Sequence, residues 1–261
     1  NPFSWKEASL TKSSSEVVLF ADSFNTYFEP NILRDALSLL ENAGKKVIIP
    51  SFKNDRKNLC CGRTFLSSGL IDEAKIEAES LLKNLYEYVE RGIPIVGLEP
   101  SCIFTIKDEF SILIPGEKSK KLAKHVQLLE EYFFEEIRAG RLKIKKKKSG
   151  SKKVIIHGHC HQKAFDSLHA TEKLLKSIED VEVDLISSSC CGMAGSFGYQ
   201  SENYEVSMKM AELSLLPRIR NENANVIITA SGTSCRQQIN HGTDRSVIHP
   251  VSLLLDLCYL V

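Results

Sequence analysis

No apolar run in this sequence reaches the ~18 residues that a membrane-spanning helix needs. The opening stretch, NPFSWKEASLTKSSS, also lacks the apolar core of a secretory signal. Net charge is only +1, so no global field draws the chain to nucleic acid. Eight cysteines in 261 residues are too sparse for a secreted disulfide scaffold, which is short and cysteine-dense. An initial Met is missing as well, and the chain reads as a piece of a longer polypeptide. The glycine-rich stretch CCGMAGSFG (190–198) is not a GxGxxG, so no nicotinamide-dinucleotide site is expected. What remains is a chain of 43% hydrophobic and 26% charged residues, ordinary for a globular protein. It is long enough for one large domain or two small ones. Without a disulfide role, the cysteines favour reduced, metal-bound thiolates.

Two of them, Cys190 and Cys191, are adjacent and run into Gly192, Gly195 and Gly198. Neighbouring Cα atoms lie ~3.8 Å apart, whereas a disulfide prefers roughly 5.5–6 Å. An internal bridge is therefore disfavoured. The same signature recurs as Cys60-Cys61-Gly62. A doubled CCG suggests a repeated metal site.

The remaining pattern is also doubled. VVLFA (17–21) reads as a buried strand. A helical stripe over 31–43 ends at Gly44. KVIIP (46–50) is a second strand, and the polar loop SFKNDRKNL leads to the first CCG. A long helix over 70–90 ends at Gly92, IPIVGL (93–98) is a third strand, and Cys102 opens a short helix over 102–110. An amphipathic helix is expected over 121–138. The second half restarts with strands at 154–158, 181–187 and 225–230, helices at 168–178 and 202–220 (broken near Pro217), and a terminal buried helix in VSLLLDLCYLV. Forty residues separate Cys61 from Cys102, and 43 separate Cys191 from Cys235. A repeat of this kind outweighs any single motif. Strands alternating with helices predict an α/β fold of two pseudo-symmetric halves, each a small parallel sheet flanked by helices. The expected division is a degenerate first repeat over 1–139, a basic linker over 140–153 and a metal-binding second repeat over 154–261.

In parallel sheets all C-terminal strand ends share one edge, where ligands bind. Cys160, Cys190, Cys191 and Cys235 each follow a predicted strand, so the fold would gather four thiols at one edge. The first half has Cys60, Cys61 and Cys102, but Asp22 and Ser23 stand where a leading cysteine is wanted. Three thiols with a carboxylate suit zinc better than a cluster, so this half is expected to be empty or a structural zinc-type site. Glycines such as Gly192 let backbone N–H groups approach cluster sulfurs. On an extended segment His157, His159 and His161 would share one face, opposite Cys160. They are read as supporting donors, with His161 the best placed to bond a cluster sulfur. His249 before Pro250 is read as a helix start, Cys258 as a buried hydrophobe, and the seven lysines and one arginine of 141–153 as a solvated connection.

On Cys60-Cys61-Gly62, Glu99-Pro100-Ser101-Cys102, Cys160-His161, CCGMAGSFGY (190–199), Cys235 with Gln238, and His249-Pro250, the chain resembles the cysteine-rich CCG domain family. Its members include the CCG-bearing component of heterodisulfide reductase and the iron–sulfur subunits of glycolate oxidase and anaerobic glycerol-3-phosphate dehydrogenase. HGHCHQKAF (157–165) and SSCCGMAGSFGY (188–199) resemble most the C-terminal part of FAD-linked 2-hydroxyacid dehydrogenases. The resemblance implies a [4Fe–4S]-type cluster on Cys160, Cys190, Cys191 and Cys235, and a metal or degenerate site in the first half. It also implies a partner that carries FAD, as a domain or subunit, with ferredoxin-like clusters between the two. No C-x2-C-x2-C ferredoxin run is present in this sequence. The expected function is electron transfer for a D-lactate, glycolate or D-2-hydroxyglutarate type of dehydrogenase, to an unnamed acceptor and without nucleic acid. The alternatives are a zinc-stapled or metal-free docking module and a thiol–disulfide reductase. The expected location is the cytoplasm, with any peripheral association at the inner face of the membrane. This chain alone is not expected to turn over a hydroxyacid.

Overall fold

A computed structural model describes residues 15–50, 59–147 and 150–261. Residues 1–14, most of the polar loop (51–58), and Lys148 and Ser149 of the basic run lie outside the described residues. The chain divides into two compact units, one running to Tyr132 with Leu260 and Val261, the other Phe133–Tyr259.

In the first unit, β1 (Glu16–Leu19) is apolar because both of its faces are covered: Val17, Val18 and Leu19 are fully buried. It leads through α1 (Ser23–Tyr27) and α2 (Pro30–Asn42) to β2 (Lys46–Ile48). Helix α3 (Arg63–Ser67) and the long α4 (Ile71–Glu90) precede β3 (Ile95–Gly97). Ala74, Ala78, Leu81, Leu85 and Val89 form the buried stripe of α4 at helical spacing. After β3, α5 (Pro100–Phe104), a π-helical turn over Thr105–Glu109 and α6 (Phe110–Leu113) run on without a break. Helix α7 (Glu117–His125), β4 (Val126–Leu128) and α8 (Leu129–Arg138) follow. The single helix expected over 121–138 is therefore two helices around an edge strand. Val126 and Leu128 are buried while Gln127 is not, and β4 pairs in parallel with β3. Three residues are too few for alternation to show within a helical background.

The second unit contains β5 (Ile144–Lys146), β6 (Lys152–His157), α9 (Cys160–Ala164), α10 (Leu168–Lys176), β7 (Val181–Leu185), α11 (Tyr204–Glu212), α12 (Leu215–Arg220), β8 (Ile227–Ala230), α13 (Thr233–Gly242), β9 (Val247–Ile248), α14 (Pro250–Leu257) and β10 (Cys258–Leu260). The helix break lies at Leu213 and Ser214, just ahead of Pro217, whose ring nitrogen has no proton to donate back to that turn. The terminal segment is a helix only to Leu257; Cys258–Leu260 then pairs with β5, inside the stretch read as a connection. Two of the lysines there are engaged: Lys146 pairs with Asp180, and Lys147 lies over the Tyr259 ring at 4.4 Å.

Both four-stranded sheets are wholly parallel and have the same order, β2-β1-β3-β4 and β7-β6-β8-β9. The two halves are thus copies of one α/β plan. In each, the chain reverses its winding between the first and third strands, the place where open α/β sheets bind ligands.

Candidate metal centre

In the second half, β6 ends at His157, which is buried and reaches Ser188 Oγ through Nδ1 at 3.0 Å. Two residues later His159 caps α9. Its Nδ1 accepts from the His161 N–H at 3.2 Å, and Gln162 Oε1 accepts from the His159 N–H at 3.0 Å. This reciprocal cap turns the chain into a helix at Cys160. The extended HGHCH face expected from alternation does not form. His161 instead packs edge-to-face on His159, with ring centroids 5.1 Å apart. Cys160, at the first helical position, is exposed.

Cys190 and Cys191 follow β7, with Cys191 buried and Cys190 half-buried. Gly192 has φ +93°, and its N–H points at Cys190 Sγ at 3.3 Å. A Cβ there would stand 2.1 Å from the Ser207 carbonyl oxygen, so this turn demands glycine for its backbone and its space. Gln238 holds the same spot, donating from Nε2 to Ser207 O at 3.2 Å and to Ser207 Oγ at 3.0 Å. Cys235 is buried at the start of α13, after β8.

The ligand atoms of His157, Cys191 and Cys235 all lie within 4.8 Å of one another, the one such grouping among the described residues. The four thiols are linked by hydrogen bonds in the order Cys160, Cys190, Cys191, Cys235, and His157 bonds the last. The hydrogen bonds from Cys160 and Cys191, helped by the Gly192 and Ala194 N–H groups, hold Cys190 well below an ordinary thiol. Cys191 does the same for Cys235, with His157 and His159 acting in the same direction. Cys160 and Cys191, which donate those bonds, are pushed up by them and by burial. Metal binding to such a row displaces the protons kept on Cys160 and Cys191.

Soft thiolates in this number are the donor set of a four-thiolate iron–sulfur centre or of zinc. Gly232 keeps room beside them, since a Cβ there would lie 2.5 Å from the His159 ring and 3.4 Å from Cys235 Sγ. In the sequence, His157 is only one of three similar histidines. The signal that distinguishes it is its place as the last residue of its strand.

The first half brings Cys60, Cys61 and Cys102 together in the same way. Cys61 hydrogen-bonds both Cys60 and Cys102, and the Gly62 N–H points at Cys60 Sγ at 3.4 Å, with φ +78° at Gly62. Around them stand carboxylates. Asp22 caps α1, accepting from the Asn25 N–H at 3.0 Å, and Glu99 caps α5, accepting from the Ser101 N–H at 3.1 Å. Burial, then repulsion from Glu99, pushes Asp22 up to about 6. The Cys61 hydrogen bond favours the Cys102 thiolate, but burial, Asp22 and Glu99 outweigh it and raise Cys102 to about 11. The hydrogen bond to Cys61 and burial raise Cys60 too.

Two residues read as structural take those parts. His249 caps α14, accepting from the Val251 N–H at 3.1 Å, and the buried Cys258 donates to Leu254 O at 3.3 Å. No helix among the described residues is long and apolar enough to cross a membrane.

The chain is 28% identical over 240 residues to one subunit of the anaerobic glycerol-3-phosphate dehydrogenase of Escherichia coli (strain K12), covering 92% of this chain and 58% of that protein. It is 24% identical to the D-2-hydroxyglutarate dehydrogenase of the same organism, covering 92% of this chain and 22% of the relative. It is 23% identical to lactate utilization protein A 2 of Bacillus cereus (strain ZK / E33L), covering 74% and 78%. The chain therefore spans a little over half of the first relative and under a quarter of the second. Residues 154–240, the stretch that carries the four linked thiols, match the cysteine-rich domain family CCG. That stretch is similar to the cysteine-rich CCG domains.

Proposed function

We propose that this chain is an iron–sulfur electron-transfer module serving a flavin-linked dehydrogenase, with Cys160, Cys190, Cys191 and Cys235 as the cluster ligands. The observation that carries the reading is the continuous row of four thiols at the strand ends of one sheet, beside a buried histidine. When bound, a [4Fe–4S] cluster would supply one-electron transfer between the flavin and an acceptor. The protein's own residues bind and orient. Cys190 and Cys235 offer thiolates, Cys160 and Cys191 yield their protons as ligands, and Gly192 aims its N–H at a ligand sulfur. His157 lies next to Cys235 and is held from the other side by Ser188.

The names of the relatives support a dehydrogenase partner that oxidises a 2-hydroxyacid or a related alcohol; the flavin is proposed to lie on that partner, as a domain or a separate subunit. D-Lactate, glycolate and D-2-hydroxyglutarate are the substrates proposed for that partner, with ferredoxin-like clusters between it and this chain. Turnover requires the flavin part. The cytoplasm, or its membrane face, is the proposed location. In the first half, Cys60, Cys61 and Cys102 are the thiols that a structural zinc ion would take.

Iron, sulfide and zinc quantification with electron paramagnetic resonance on anaerobically reconstituted protein tests all of this. Iron and sulfide in cluster ratio are expected, and their absence overturns the assignment. A second reading, thiol–disulfide chemistry, is favoured by the acidified Cys190 beside the exposed Cys160. Disulfide reduction that survives in Cys190→Ser eliminates it.

A further inference from the structure

Helix α9 places a second group on the face that carries Cys160. Lys163 lies three residues on, one helical turn away. Its stem passes over Gly158, where an added Cβ would approach Lys163 Cε to 3.1 Å. Its half-buried ammonium ends at the loop that delivers Cys190 and Cys191. It donates to Ser188 O at 2.5 Å and to Ser189 O at 2.8 Å, with Ser188 Oγ at 3.5 Å. Ser188 is also the partner of His157. Among the described residues no carboxylate pairs with Lys163. Burial lowers Lys163 from an ordinary lysine, and the charges that oppose this are those of Cys235, Cys160, Cys190 and Cys191, all four thiols of the row.

A tether alone would not need this charge. A neutral donor could bond two carbonyls, and a lysine used only for packing would turn its ammonium to water. A partly desolvated cation with no carboxylate partner implies that its counter-charge is the thiolate site itself. We infer that Lys163 is an electrostatic positioning residue of the four-thiol site. It pins the Ser188–Ser189 loop through two carbonyls and stabilises the negative charge that gathers on the thiolates. The inference rests on the proposed electron-transfer role for its redox consequence. The charge itself acts on the thiolates whatever they hold.

Reduction of a four-thiolate centre adds a negative charge beside Lys163, so the cation favours the reduced form. The test uses Lys163→Gln, Lys163→Met and Lys163→Arg in the full chain. In reconstituted protein, the midpoint potential is expected to fall in Gln and Met and to stay near the parent value in Arg. In metal-free protein, iodoacetamide labelling is followed residue by residue by mass spectrometry as pH is lowered. The pH at which Cys190 labelling falls to half its plateau rate is expected to rise in Gln and Met, with Arg restoring it. Cys60, in the same molecule, should be unaffected.

Equal potentials and labelling midpoints in all variants overturn the inference. So does an Arg variant that shifts as far as Gln, since that result makes the role steric. If Met does not fold, the Gln and Arg pair decides, because both keep donors. If the parent takes up no iron, the electron-transfer reading fails on its own, and the Cys190 labelling still decides the role of Lys163.

Discussion

After β1 the chain places Asp22 at a helix cap and Ser23 beside it; after β6 the same two places hold His159 and Cys160. After β3, Glu99 caps the helix that carries Cys102; after β8, Gly232 caps the helix that carries Cys235. The scaffold is common to both halves: strand order, the CCG turn, and a glycine N–H aimed at the first thiol of the pair. The furnishing differs in sign. Burial, joined by Asp22 and Glu99, raises Cys102 to about 11, while His157 and His159 help to lower Cys235. One fold can therefore hold all three thiols of a set above an ordinary thiol, or lower two of four below it, according to the residues at its strand ends.

The strongest way to break this comparison is to remove one thiol from each half. Cys191→Ser is expected to abolish iron uptake and Cys61→Ser to leave it intact, as read by iron and sulfide content. Equal losses would mean that both halves carry the cluster, or neither. Next in size is glycine replacement at the two turns. Gly192→Ala drives a Cβ to 2.1 Å from a backbone oxygen, against 2.9 Å in Gly62→Ala, and both have positive φ. A cost of about 3 kcal/mol or more is expected at Gly192, and ~1–2 kcal/mol at Gly62, by denaturant unfolding. The reverse order would show that the second turn is the looser one.

Converting the first half sharpens the comparison further. Asp22→His with Ser23→Cys supplies the missing thiol and removes an acid. Cobalt(II) should then give a stronger thiolate charge-transfer band than in a Cys160→Ser, Cys190→Ser background without those changes. An unchanged spectrum would mean that Glu99 or the backbone also keeps the site closed.

The smallest effect is the pH dependence of the metal-free protein. Asp22 rises from 3.8 to about 6 on folding because it is buried and faces Glu99. The folded state therefore holds this proton more tightly than the unfolded chain. The resulting stability is complete below about pH 4 and is lost as pH rises through about 6, at most about 3 kcal/mol. Asp22→Asn should flatten that slope in urea midpoints taken across this range. A slope that persists would assign it to other groups.

Local pattern reached far in this chain. Buried β-branched runs specified both central strands, helical stripes ending in glycine specified α2 and α4, and the repeated CCG with matched spacers specified the duplication. The placing of Cys160, Cys190, Cys191 and Cys235 after strands followed from these elements, because every C-terminal end of a parallel sheet shares one edge. What the sequence could not display was anything that depends on a non-local neighbour. Strand β4 is three residues long and exists because β3 lies beside it; β10 exists because β5 does. The cap at His159 packs the His161 ring on His159 and leaves His157 at the strand end, grouped with Cys191 and Cys235. Lys163 acquires its role only when α9 and the loop after β7 meet across 25 residues of chain. Composition and periodicity determined the elements and their order. Only the packing of strand ends against one another decided which polar groups stand beside the thiols, and hence what charge those thiols carry.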